Sequence, residues 1–134
     1  MKRLMKRKQR GFSLIELLVV ITIIGILAAA AIVNVKYAQR KAREAVLKDN
    51  LFTMRKAIDN FYADKQRFPA DLNELVPNYI RAIPKDPITE SADTWQLVMS
   101  EPDPASPNAA PGVFDVKSGA EGVSLDGTPY ADLQ

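Results

Sequence analysis

The chain predicts an α+β protein: one long N-terminal helix, transmembrane in its first half and amphipathic in its second, against a small C-terminal sheet with irregular loops. Three observations predict it. Between Phe12 and Val35 the only ionisable side chain is Glu16. All nine prolines lie at or beyond Pro69, so nothing before them interrupts a helix. Past the first prolines, Thr94–Met99 and Val113–Lys117 are rich in strand-forming residues.

The first element is the run Phe12–Val35, 24 residues long. A helix rises about 1.5 Å per residue, so the run spans roughly 36 Å. A hydrocarbon core is about 30 Å thick. The run is long enough to cross it. Lys2, Arg3, Lys6, Arg7, Lys8 and Arg10 precede it with no acid among them. Lys36, Arg40, Lys41 and Arg43 lie beyond its far end. Six charges against four place residues 1–11 as a cytoplasmic leader, by a modest margin. Glu16 stands out, because an intramembrane carboxylate costs about 2.5–3.5 kcal/mol on insertion scales and usually marks a function or a partner.

Basic leader, Gly11, then Phe12-Ser13-Leu14-Ile15-Glu16-Leu17-Leu18 resembles the class III leader and N-terminal helix of type IV pilins and type II secretion pseudopilins. The resemblance implies that a prepilin peptidase cuts between Gly11 and Phe12 and methylates the new N-terminus, giving N-methylphenylalanine at Phe12. It also implies that Glu16 pairs with the N-terminal amine of a neighbouring subunit during assembly. The physics agrees: a carboxylate facing an ammonium offsets desolvation that either would suffer alone, and removing one strands the other. Members commonly carry a proline in the segment after the glycine equivalent to Gly25, associated in filaments with a local loss of helix. Here Val33 and Asn34 stand in that segment. Gly25 and Ala28–Ala31 leave such melting open, since Gly costs a helix up to about 1 kcal/mol relative to Ala.

A different reading of the same stretch is an ordinary secretory signal cut near Ala28-Ala29-Ala30, leaving a soluble exported protein. Signal apolar regions run about 7–15 residues, and this one starts too early.

Residues 36–66 continue the helix. Leu47, Leu51, Met54, Ile58 and Phe61 recur at spacings of 4, 3, 4 and 3, one face of a helix, and predict packing against the rest of the chain. Lys48, Asp49, Arg55, Lys56 and Asp59 fall on other faces. Arg67-Phe68-Pro69 ends the helix, because a residue before proline avoids the α region.

Residues 67–134 form the small globular domain. Asp71–Val76 predicts a short helix with an aspartate at its start. Pro77, Pro84 and Pro87 punctuate an irregular connection after it. Arg67-Phe68-Pro69 with Leu72, Leu75, Tyr79, Ile80 and Ile83-Pro84-Lys85-Asp86-Pro87 resembles the major pseudopilin of type II secretion, which implies a small antiparallel sheet next. Thr94–Met99 and Val113–Lys117 fit its strands. Alternation makes Trp95, Leu97, Phe114 and Val116 the inward candidates, with Trp95 a core residue rather than a stacking platform for a ligand. Between them, residues 101–112 hold four prolines and predict a surface loop.

The tail, 118–133, is spaced by glycines and acids. Major pseudopilins end in a similar loop that binds calcium, and the resemblance makes Glu121, Asp126, Asp132 and the carbonyls near Ser118 candidate Ca2+ ligands. Calcium takes six to eight oxygens from a flexible loop. A solvated acidic loop held by turns at Gly119, Gly122 and Gly127 is the alternative.

Composition narrows the function further. With 18 basic and 16 acidic residues the formal charge is +2, but without the six leader charges 12 face 16, a net of −4. Past Pro84 nine acids meet only Lys85 and Lys117. Nucleic-acid binding does not fit that end. No Cys or His is present, so there is no disulfide, and the usual nucleophile–base pairs of an enzyme are missing. The expected function is a structural subunit, a major pseudopilin, of a helical homo-oligomeric filament that drives protein transport by type II secretion. A type IV pilin of a surface pilus is the neighbouring alternative. The resemblance implies, besides the peptidase, an inner-membrane assembly platform and minor pseudopilins as partners, membrane lipid before assembly, and a single-pass inner-membrane protein with its C-terminal domain periplasmic.

Overall fold

The computed structural model describes residues 11–102, 104–105 and 110–134. The leader charges from Lys2 to Arg10, and Asp103 and Ser106–Ala109 of the proline-rich loop, lie outside the described residues. Two compact units divide the chain, Met1–Ala38 and Gln39–Gln134. One helix, α1 (Leu14–Lys65), contributes to both.

In the first unit α1 starts where local chemistry dictates. Ser13 is its cap: the Ser13 Oγ accepts from the Glu16 amide at 3.3 Å and the Ser13 carbonyl from the Leu17 amide at 3.2 Å. Ser13-x-x-Glu16 is the sequence signature of a capping box, and the acid sits in the first turn where the helix dipole favours negative charge. Thr22 returns its hydroxyl to the Leu18 carbonyl, 2.7 Å, which removes a polar group from an apolar surface. Every described side chain from Gly11 to Ala38 is exposed. Among the described residues of the unit no apolar partner covers them.

In the second unit the expected stripe is the core. Leu47, Leu51, Met54 and Ile58 are fully buried and Phe61 nearly so. They pack with Leu72, Leu75, Ile80, Trp95, Val113, Val116, Ala120, Tyr130 and Leu133. The helix stops at Lys65, ahead of Arg67-Phe68-Pro69, because Gln66 takes a left-handed conformation (φ 56°) while its amide still donates to the Tyr62 carbonyl, 2.8 Å. Beyond it Asp71 caps a single 3-10 turn, Leu72–Leu75, through Oδ1 to the Asn73 and Glu74 amides at 2.7 and 3.3 Å. A cis peptide joins Val76 to Pro77. A second 3-10 turn, Tyr130–Asp132, lies near the C-terminus.

The sheet has two antiparallel strands, β1 (Gln96–Met99) and β2 (Val113–Lys117). Here the alternation argument fails at two of four positions. Trp95 and Val116 are buried as expected, but Leu97 is 40% and Phe114 56% exposed, while Val113 is fully buried. At Phe114 the cause is a register shift, which leaves Leu97, paired with Val116, untouched. Val98 pairs with Asp115 and Met99 with Val113, so Phe114 is an extra residue without a partner. One inserted residue flips the phase of everything beyond it. Val113 and Val116 therefore share the inner face although three positions separate them. Trp95 donates its indole N–H to the Pro84 carbonyl, 2.8 Å, which satisfies a buried donor.

Candidate functional site

The N-terminal constellation of the first unit comes first. Gly11, Phe12 and Ser13 lie outside regular secondary structure and the helix begins at Leu14. Phe12 is 87% exposed, so the Gly11–Phe12 bond sits on a non-helical, accessible segment. A peptide bond in that form can enter a protease cleft as an extended strand. Glu16 lies on the first turn, ringed by Leu14, Ile15, Leu17 and Leu18, all more than half exposed. Among the described residues no hydrogen bond or ion pair reaches the Glu16 carboxylate. Among the described residues, the arrangement is an unpaired acid on an exposed apolar surface. α1 is the one described helix long and apolar enough to cross a membrane.

The tail is the second candidate, and its expected ligands are dispersed. The Ser118 hydroxyl is buried, donates to Asp86 Oδ2, and accepts from the Ala120 amide at 3.1 Å. Asp126 has its side chain 77% exposed and lies 3.7 Å from Lys48 Nζ. Glu121 and Asp132 are exposed. Among the described residues no group of three or more acidic side chains stands where it could hold a metal ion. The Ser124 hydroxyl is buried without a partner, but one hydroxyl is far from the six to eight oxygens that calcium needs. The side chains as placed do not fit that ion.

Three charged residues that sequence reasoning left aside do the holding in this unit. Asp86, fully buried, accepts from the Ile88 and Thr89 amides at 2.8 and 3.4 Å besides the Ser118 hydroxyl. Arg55, which falls off the apolar stripe, is only about a quarter exposed. It donates to Asp115 Oδ1 (2.8 Å) and to the Val116 and Leu133 carbonyls (3.1 and 3.0 Å). Glu44 is 7% exposed and accepts from the Leu125 amide and the Tyr130 hydroxyl. Its signal was present: Glu44 precedes Leu47 by three and so continues the apolar stripe by one step. An acid in that phase must be buried with donors around it.

Comparison with known proteins agrees with this geometry. Residues 6–32 match the family model described as the prokaryotic N-terminal methylation motif. The type II secretion system core protein G of Klebsiella pneumoniae is 32% identical over 98 residues, 60% of this chain and 70% of that one. The protein of the same description from Dickeya chrysanthemi is 31% identical over 100 residues, 62% of this chain and 65% of that one. The type IV major pilin protein PilA of Myxococcus xanthus is 41% identical over 68 residues, 51% of this chain and 31% of that one. This chain therefore spans less than two thirds of the length of these last two relatives. No solved structure matches it.

A methylation motif on an exposed apolar helix, continued into a small α+β unit, defines a pilin-like structural subunit and not an enzyme. Within that class, the chain belongs to the family of type II secretion system core protein G, the major pseudopilins.

Proposed function

We propose that this chain is the repeating subunit of a pilus-like filament that serves type II protein secretion. The observation that carries the reading is the exposed apolar face of α1 with one acid, Glu16, unpaired among the described residues and close behind the Gly11–Phe12 bond. Before assembly that face lies in the inner membrane, with the leader on the cytoplasmic side and the second unit in the periplasm. Prepilin peptidase cuts after Gly11 and methylates Phe12. The helices then leave the lipid and bury their apolar faces against one another. Lipid tails are as apolar as a neighbouring helix, so burial in the filament yields little net driving force over the bilayer. An assembly platform that does work on the subunit, with minor pseudopilins to start the filament, fits that balance. Glu16 selects the position of the incoming subunit, because its carboxylate, costly to bury alone, is compensated where it meets the partner's N-terminal amine.

The pilin match in Myxococcus supports a surface pilus as the second reading. Its likeness covers 31% of that protein, whereas the Klebsiella likeness covers 70%. The secretion reading accounts for more of a relative's length.

Mass spectrometry of the processed protein tests the first step. The expected N-terminus is methylated Phe12, and a start near Ala31 would instead establish an ordinary export signal. Glu16→Ala should leave cleavage intact and abolish filaments. Normal filaments from that variant would remove the pairing role.

A further inference from the structure

The C-terminal loop is acidic in composition, yet it turns two donors toward one carboxylate of α1, Glu44. The Leu125 amide donates to both Glu44 oxygens, 3.0 and 3.2 Å, and the Tyr130 hydroxyl to Oε1, 2.9 Å. Arg40, one turn earlier, lies with Nε 3.4 Å from Glu44 Oε1 and donates from Nη2 to the Val123 carbonyl, 2.7 Å. The loop closes on itself around these contacts. The Ser124 amide donates to the Thr128 carbonyl (2.7 Å), the Gly127 amide to the Ser124 carbonyl (3.0 Å) and the Tyr130 amide to the Gly122 carbonyl (3.2 Å). Gly127 takes φ 83° to complete the turn.

We propose that Glu44 is the organising centre of this loop: a helix-borne carboxylate that gathers its donors and holds residues 122–130 against α1 with no bound cation. The chemistry is the inverse of a calcium loop. A cation orders a loop by drawing carboxylates and carbonyls inward. Here an anion sits inside, and the loop answers with an N–H and an O–H. The loop's own acids stay outside, Asp126 beside Lys48 and Glu121 and Asp132 exposed. The Val123 carbonyl, which a cation would recruit, is already taken by Arg40. Hydrogen bonds to a buried charged group are the strong kind, and donors left without it lose both the bond and their solvation. The inference is independent of the filament reading, since it concerns one subunit.

The test uses the full chain in detergent micelles, with Trp95 emission recorded on heating in excess calcium chloride and in EGTA. The wild type should melt at the same temperature in both. Glu44→Ala should melt about 5–20 °C lower in both, from two donors stranded in a unit of this size. Tyr130→Phe keeps the ring in the core and removes a single hydroxyl, so a smaller fall is expected. Combined with Glu44→Ala it should add almost nothing, because the two share one interaction. Should Glu44→Ala fail to fold, Tyr130→Phe and amide exchange at Leu125 decide: exchange at Leu125 must quicken in Tyr130→Phe while that of Met54 stays slow. A calcium-dependent rise in the wild-type midpoint would overturn the proposal. So would Glu44→Ala or Tyr130→Phe melting with the wild type.

Discussion

Leu51 and Phe52 are neighbours in α1, both large and apolar, and the fold gives them opposite values. Leu51 is fully buried and Phe52 is 64% exposed. A helix turns about 100° per residue, which carries Phe52 off the stripe that meets Leu75 and Val116. Replacing Leu51 by Ala deletes buried carbons and leaves a cavity lined by Leu47, Met54 and their partners. Such changes cost about 2–5 kcal/mol. The second unit has bounds Gln39–Gln134, and each kcal/mol moves the midpoint of a unit near that size by about 4–8 °C. Leu51→Ala should therefore melt roughly 10–30 °C below the wild type. Phe52→Ala, a surface change, should stay within about 0.5 kcal/mol, or a few degrees. Trp95 is the only tryptophan and is 7% exposed, so its emission on heating in detergent reports the unfolding of this unit. Two variants falling by similar amounts, or Phe52→Ala falling further, would refute the packing argument.

Single contacts give further outcomes. A Cβ at Gly119 would overlap the Thr94 carbonyl oxygen, so Gly119→Ala should destabilise by about 1–3 kcal/mol through backbone displacement, visible as a lower midpoint and weaker β1–β2 amide protection. Arg55→Met keeps the stem and removes hydrogen bonds to Asp115, Val116 and Leu133; the expected loss is about 1.5–3 kcal/mol, read as a lower melting midpoint. The Tyr79 hydroxyl donates to Asp64 Oδ2 at 2.9 Å, and this hydrogen bond, then burial, raises its pKa above the ordinary tyrosine value. A raised phenol pKa means stability is fully present below the unfolded tyrosine value and is lost as pH rises through the folded one. Alkaline titration of the melt above about pH 10 should therefore show a loss that Tyr79→Phe lacks.

The membrane-capable run, the stripe and the cap at Asp71 were all readable along the chain. Each depends on residues within one or two turns, where periodicity and capping chemistry act locally. The stripe even contained the clue to Glu44, since that acid occupies the next apolar position. The N-terminal motif was readable for a related reason: Gly11 and Phe12 lie just ahead of the helix and Glu16 in its first turn, within the 6–32 stretch that matches the methylation motif.

The tertiary structure decided the matters that depend on distant residues meeting. Glu44 and Tyr130 lie 86 positions apart, and Arg55 and Asp115 lie 60 apart. No local pattern states which carboxylate will receive which donor, so the meeting of the tail with an acid on the helix could not be read along the chain. The bulge at Phe114 is of the same kind. Alternation along β2 assigns faces only while pairing with β1 keeps step, and pairing is settled by which side chains the core accepts. Periodicity resides in a segment; register and loop closure arise between segments.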